Sequence, residues 1–143
     1  LVITDCPDPS SLSDYISGLQ LQAPTVAHLV RISDNAVHSY DTAPFTAAGI
    51  EVHDWIKFDD GTTPTKDQVK LWLEFLATLI REAKRAGLSE CPAVAIHCVS
   101  GIGRAPLLVA VAFVECGMDS LDAVEAIRKV RRGAFNTTQV RWL

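Results

Sequence analysis

The sequence predicts an α/β fold: a single domain over residues 1–143 with a central, mostly parallel sheet of four to five strands flanked by helices. Three observations point there. Strand-like and helix-like runs alternate along the chain, the pattern of layered α/β architectures. The strand-like runs are nearly continuously apolar, as parallel strands covered on both faces are. The 143 residues, 48% hydrophobic and 21% charged, have the make-up of one globular domain that builds its core without disulfide or metal staples.

Each element has its own signal. LVIT (1–4) reads as a short strand, and DCPDPSS behind it carries turn chemistry. SLSDYISGL (11–19) sets Leu12, Tyr15, Ile16 and Leu19 on one helical face. TVAHLVRI (25–32) is β-branched and apolar, a buried strand, and SDNAVHSYD (33–41) reads as polar loop. TAPFTAAG (42–49) predicts a short helix stopped by Gly49. GIEVHDW (49–55) is a third strand, and FDDGTTP (58–64) a turn-rich loop. Thr65 opens the longest helix through the capping box TKDQ, and Val69, Trp72, Leu73, Leu76, Leu79, Ile80 and Ala83 follow at helical spacing up to Gly87. PAVAIH (92–97) is a fourth strand. RAPLLVAVAFVE (104–115) is apolar all round and predicts a central buried helix. DSLDAVEAIRKVRR (119–132) predicts an amphipathic helix with Leu121, Val124, Ile127 and Val130 inward, and NTTQVRWL (136–143) begins another. No repeat, low-complexity segment or linker interrupts the series.

The net charge of −4 gives no broad attraction to nucleic acid or anionic lipid. Basic residues cluster only in IRKVRRG (127–133), which reads either as a solvated helix end, where cations suit the dipole, or as a patch recruiting anionic partners. Cys6, Cys91, Cys98 and Cys116 are scattered without metal-ligand spacing. Such a chain needs no disulfide, so a reducing compartment is expected, and the cytoplasm with it. No signal peptide or run of transmembrane length is recognised. Nothing in the sequence asks for a cofactor or metal.

The chemistry concentrates in HCVSGIGRAP (97–106), which follows an apolar strand and opens an apolar helix. Ligands of parallel α/β sheets bind beyond the carboxyl ends of the strands, and Cys98 stands at such an end. Gly101 and Gly103 permit a loop of Val99, Ser100, Gly101, Ile102 and Gly103 whose successive N–H groups point inward as an anion nest. The helix N-terminus adds unpaired donors and its positive dipole, and Pro106 fits the first turn. Arg104 adds a planar fork for two phosphate oxygens. The field that binds a phosphate also stabilises a thiolate, so Cys98 beneath it is an in-line nucleophile. The pattern predicts phosphoryl transfer through phosphocysteine; the competing reading is a structural cysteine in an ordinary βα turn. His97 either helps hold the thiolate or is only a hydrogen-bonded strand-end histidine. A leaving oxygen needs an acid, and HDWIKFDDG (53–61) offers Asp59 and Asp60 in a loop that can hinge over a pocket. Alone, Asp-Asp-Gly is a plain turn; beside the Cys98 loop it reads as the acid.

The stretches LVRISD (29–34), YDTAP (40–44), FDDG (58–61), VAIHCVSGIGRAPLLVAVAFVECGM (94–118) and IRKVRRGAFN (127–136) resemble the PRL family (phosphatases of regenerating liver, type IVA) within the protein tyrosine phosphatases. The resemblance runs through nearly the whole chain. It implies a protein tyrosine phosphatase-like fold, Cys98 as nucleophile, Arg104 as phosphate clamp and Asp60 as general acid, with Asp59 lining the same loop. It also implies that Ala105, where most of the superfamily has a serine or threonine, slows hydrolysis of the phosphoenzyme. Phosphoprotein substrates and partners of the magnesium-transporter type, bound through the active-site pocket, are implied too.

The chain departs from the family pattern in places. The family's second redox cysteine falls at Ser33, so no disulfide to Cys98 forms through that position; Cys6 is a candidate for the same face. The loop between Asp34 and Pro44 reads as long. WIKF (55–58) replaces WPF, which is expected to loosen the acid. The basic tail and prenylation box lie outside these residues, so membrane attachment would require a longer form carrying them. Three functions compete: a phosphatase, a phosphatase-like module that captures an acidic or phosphorylated loop of a partner, and a rhodanese or arsenate-reductase-like enzyme. Asp60 and RRGAFN argue against the third.

Overall fold

The structure, a computed structural model, describes residues 1–32 and 39–143. Ser33 and the start of the long loop lie outside the described residues. Four strands, β1 (Val2–Thr4), β2 (Val26–Arg31), β3 (Glu51–His53) and β4 (Ala93–His97), form a sheet in the order β1-β4-β2-β3, and every pairing is parallel. β4 sits inside the sheet and is buried along its whole length, as its unbroken apolar sequence requires.

Helices cover both faces. α1 (Leu12–Gln20) and α2 (Ala43–Ala47) pack against one, with Ile16, Leu19, Leu29, Phe45 and Ile50 at the contact. α3 (Lys66–Arg85), α4 (Arg104–Glu115) and α5 (Ser120–Val130) cover the other, with α6 (Thr137–Trp142) beyond them. α4 is buried from Arg104 to Ala112. The capping box at the start of α3 forms as read: Thr65 Oγ1 accepts from the Gln68 amide at 3.2 Å, and Gln68 Oε1 accepts from the Thr65 amide at 2.8 Å. Trp72 is fully buried, and its indole N–H donates to the Leu108 carbonyl at 2.8 Å, which joins α3 to α4. That bond lets the largest side chain enter the core without an orphaned donor.

Two expectations fail in detail. The strand over 49–55 shortens to Glu51–His53, since β3 is an edge strand with β2 alone to pair with. In α5, Leu121 and Val130 are 63% and 82% exposed; Ala123, Val124 and Ile127 are the buried residues. The cause is angular. Steps of three residues turn back by about 60° each on a helix advancing about 100° per residue. Leu121, Val124, Ile127 and Val130 therefore sweep across the surface, and the inward face centres on the middle pair with Ala123 beside it.

Candidate active site

β4 delivers His97 and Cys98 to the carboxyl edge of the sheet, and α4 begins six residues after Cys98 at Arg104. The loop between them is shaped from outside. The Val99 carbonyl accepts from the Cys6 amide at 2.9 Å. The Ser100 and Gly101 carbonyls accept from the Arg131 guanidinium at 3.3 and 3.2 Å. The Ile102 carbonyl accepts from the Phe135 amide at 2.8 Å. With four successive carbonyls bonded outward, the peptide units between them turn their N–H groups toward the concave side, where an oxyanion fits. Gly101 makes this possible. It has φ +62°, and a Cβ there would meet the Thr4 carbonyl at 2.5 Å as well as Arg131 and Asp5.

Cys98 is 1% exposed at the base of this loop. His97 beside it is fully buried. Its Nδ1 faces the Cys98 carbonyl at 2.9 Å, which can only accept, so Nδ1 carries the proton. Nε2 then accepts from the Tyr40 hydroxyl at 2.6 Å. Burial lowers the His97 pKa to about 4, against a smaller opposing effect of the Cys98 carbonyl. Burial raises that of Tyr40, so the hydroxyl stays a donor. His97 is thus a neutral buried strut that holds the Cys98 backbone. It is a hydrogen-bonded strand-end histidine, and its ring contacts run to the Cys98 carbonyl and Tyr40. Burial raises the pKa of Cys6.

Arg104 is buried, and its Nη1 donates to the Phe58 carbonyl at 3.3 Å. Its Nε is 3.4 Å from Asp60 Oδ1, within ion-pair reach but not aligned as a hydrogen bond, so this donor remains uncommitted. Asp60 is exposed, whereas Ala105 is completely buried under the loop. A cavity of about 210 Å³ is lined by Asp60 and Gly61, by Ser100, Ile102 and Gly103, and by Gly133, Phe135, Asn136 and Gln139. Asp60 faces it. Asp59 is exposed and does not line it; its carbonyl accepts from Thr62, as in a turn.

The segment around Asp60 is held by contacts on both sides. Ile56 is fully buried in the α3/α4 core. The Lys57 carbonyl accepts from Gln68 Nε2 at 2.5 Å. The Gly61 carbonyl accepts from Asn136 Nδ2 at 2.8 Å, and that of Thr62 from Gln139 Nε2 at 3.1 Å.

Several of these residues were not singled out from the sequence: Tyr40, Arg131, Phe135, Asn136 and Gln139. Asn136 and Gln139 carried a signal, since N-x-x-Q is a capping box and forms one here. The basic run IRKVRRG resolves into separate tasks. Arg128 donates to the Ala134 and Phe135 carbonyls, and Arg131 braces the Cys98 loop and pairs with Asp5. Neither a solvated helix end nor an anion-recruiting patch describes those two.

Comparison with known proteins identifies the family. A family model described as "Polymorphic toxin system, DSP-PTPase phosphatase" matches residues 17–118. The chain is 42% identical to protein tyrosine phosphatase PRL-1 of Leishmania major over 143 residues, 99% of this chain and 78% of that protein. It is 44% identical to protein tyrosine phosphatase type IVA 2 of Mus musculus, covering 99% and 78%. It is 40% identical to type IVA 3 of Homo sapiens, covering 99% and 75%. A solved protein tyrosine phosphatase from Leishmania major superposes with a TM-score of 0.81 at 43% identity, covering 98% of this chain and 83% of that one. PTPMT1, solved in complex with PI(5)P, shares the fold with a TM-score of 0.74 at 17% identity, covering 97% and 84%. With near-complete coverage at this identity, the chain belongs to the PRL, or type IVA, family of protein tyrosine phosphatases.

Proposed function

We propose that this phosphatase works through a Cys98 phosphocysteine, with Arg104 and the amides of residues 99–103 holding the phosphoryl group and Asp60 as general acid. The observation that carries the reading is the outward bonding of four successive loop carbonyls, which turns the loop's amides toward the space above Cys98. A phosphoryl group seated there presents its ester oxygen away from the sulfur. The Cys98 thiolate attacks phosphorus, the bond to the ester oxygen breaks, and Asp60 gives its proton to the departing oxygen. Charge on the equatorial oxygens is met by the amides and by Arg104, whose uncommitted Nε is available to it. Water then attacks phosphocysteine, with the Asp60 carboxylate placed to take its proton. Ala105 offers no hydroxyl to the departing sulfur, so this second step is slow.

The substrates are phosphoproteins. A second reading, that the pocket captures an acidic or phosphorylated loop of a protein partner such as a magnesium transporter, is favoured by the same Ala105. A pocket that turns over slowly suits holding a partner better than rapid hydrolysis. The working location on this reading is the cytoplasm, with membrane association in a longer, lipidated form.

Single-turnover kinetics with an activated aryl phosphate under reducing conditions test the mechanism. A burst followed by slow steady turnover, lost in Cys98→Ser, is the expected result. Absence of a burst and of turnover in the unaltered protein would defeat the catalytic scheme and favour the holding role.

A further inference from the structure

Far from the thiol chemistry, on the α3 side of the sheet, the β2/β3 edge brings together two histidines and a carboxylate. His28 is on β2; Glu51 and His53 are two apart on β3 and so share a face. The register pairs His28 with Glu51 and sets His53 two residues further along, opposite Val30. His28 Nδ1 and His53 Nε2 are 3.1 Å apart, and Glu51 oxygens lie 3.7 Å from His28 Nδ1 and 3.8 Å from His53 Nδ1. One ligand atom from each residue lies within 4.8 Å of the others.

We propose that His28, Glu51 and His53 form a divalent transition-metal site of zinc type, with the remaining coordination position open to water. Two imidazole nitrogens bound to zinc at about 2.0–2.1 Å with a tetrahedral angle stand about 3.4 Å apart. The two rings therefore already hold a chelating spacing, and chelation requires their nitrogens to turn from the N–H···N bond toward a common ion. The histidine side chains are 17% and 11% exposed, while Glu51 is 69% exposed and free to swing onto the ion. Phe75 packs edge-on against both rings and Trp55 against His53, which limits the rings' freedom. Glu51, 3.7 Å from His28 and 3.8 Å from His53, supplies the negative charge at the site. Without the ion, one ring must donate its N–H to the other. On binding, that proton moves to the far nitrogen of the same ring, and no net proton need leave. Nitrogen ligands select zinc and its neighbours over magnesium and calcium. The ion would clamp the three-residue edge strand β3 to β2 just before the chain enters the acid loop.

Cobalt(II) titration of the whole chain tests this, because cobalt occupies zinc sites and reports its ligands by colour. The expected result is one saturating equivalent with visible ligand-field bands and no sulfur-to-cobalt charge transfer. Zinc should displace it and raise Tm. The signal should be lost in His28→Gln and His53→Gln and persist in Cys98→Ser. Should the histidine variants fail to fold by circular dichroism, Glu51→Lys, at an exposed position, keeps the fold and should abolish binding by repulsion. Absence of a stoichiometric signal, or a signal with thiolate character that vanishes in Cys98→Ser, overturns the proposal.

Discussion

At the scale of single residues, function turns on what two small positions withhold or allow. Ala105 is wholly buried beneath the loop and has no hydrogen-bonding group to lend the cysteine sulfur. Ala105→Ser should therefore speed the decay of phosphoenzyme in rapid-quench experiments while leaving its formation nearly unchanged; an unaltered decay rate would remove hydrolysis as the slow step. Asp60 has no such restraint on its role. Asp60→Asn should cost about 10²–10⁴-fold with alkyl or unactivated aryl phosphates and little with activated ones, the range expected for losing a positioned acid. Equal losses across the leaving-group series would assign the proton to another donor. Gly101 shows the opposite constraint: only a residue without Cβ fits between the Thr4 carbonyl and Arg131 at φ +62°. That Cys98, Arg104 and Gly101 share one loop between a strand and a helix was legible in the sequence, because it follows from residue type and spacing alone.

At the scale of elements, the segment between α5 and α6 works as a brace. Arg131 holds two loop carbonyls, the Phe135 amide holds a third, and Gln139 and Asn136 reach across to the acid loop. Phe135 takes φ +66°, an unfavourable angle for a bulky residue, and its amide thereby meets the Ile102 carbonyl. The two halves of the brace should separate by mutation. Arg131→Met should loosen the Cys98 loop, weaken inhibition by inorganic phosphate and lower kcat/KM on the order of 10²-fold, the sensitivity of a misplaced site. Gln139→Ala should spare phosphate binding and lower the rate mainly for poor leaving groups, since it frees Thr62 next to Asp60. Matching effects of the two variants would mean that the brace acts as one unit. The basic run was visible in the sequence, but its division of labour was not, because the partners of Arg131 lie 30 and 126 residues away in the chain while those of Arg128 lie only six and seven residues on.

At the scale of the whole molecule, buried histidines couple stability to pH. His97 in the fold protonates at about 4, below its ordinary value of 6.5. Between those values the unfolded chain binds the extra proton, so stability is full above pH 6.5 and falls as pH drops toward 4. The interval corresponds to about 3 kcal/mol for this one ring. His28 and His53 are shifted the same way by burial and add to the loss. Urea denaturation at pH 7 and pH 5 should show a clear drop in midpoint, and His97→Asn should flatten it. A midpoint independent of pH over this range would mean that the His97 ring is not held neutral.

Local chemistry settled a good part of this protein from the sequence. Apolar runs and their alternation dictated the parallel α/β layering, the Thr65 capping box dictated where α3 begins, and the strand–glycine loop–helix sequence set Cys98 at the carboxyl edge of the sheet. These features depend on neighbours within a few residues, and so they survive without knowledge of the fold. What the fold alone decided involves partners distant in sequence. The inward face of α5, the turning of the loop carbonyls by Cys6, Arg131 and Phe135, the neutral His97–Tyr40 pair and the meeting of His28 with His53 all arise from packing. All but the first require a polar group to find a partner, and the packing of the elements, not the sequence distance, determines which partner is there.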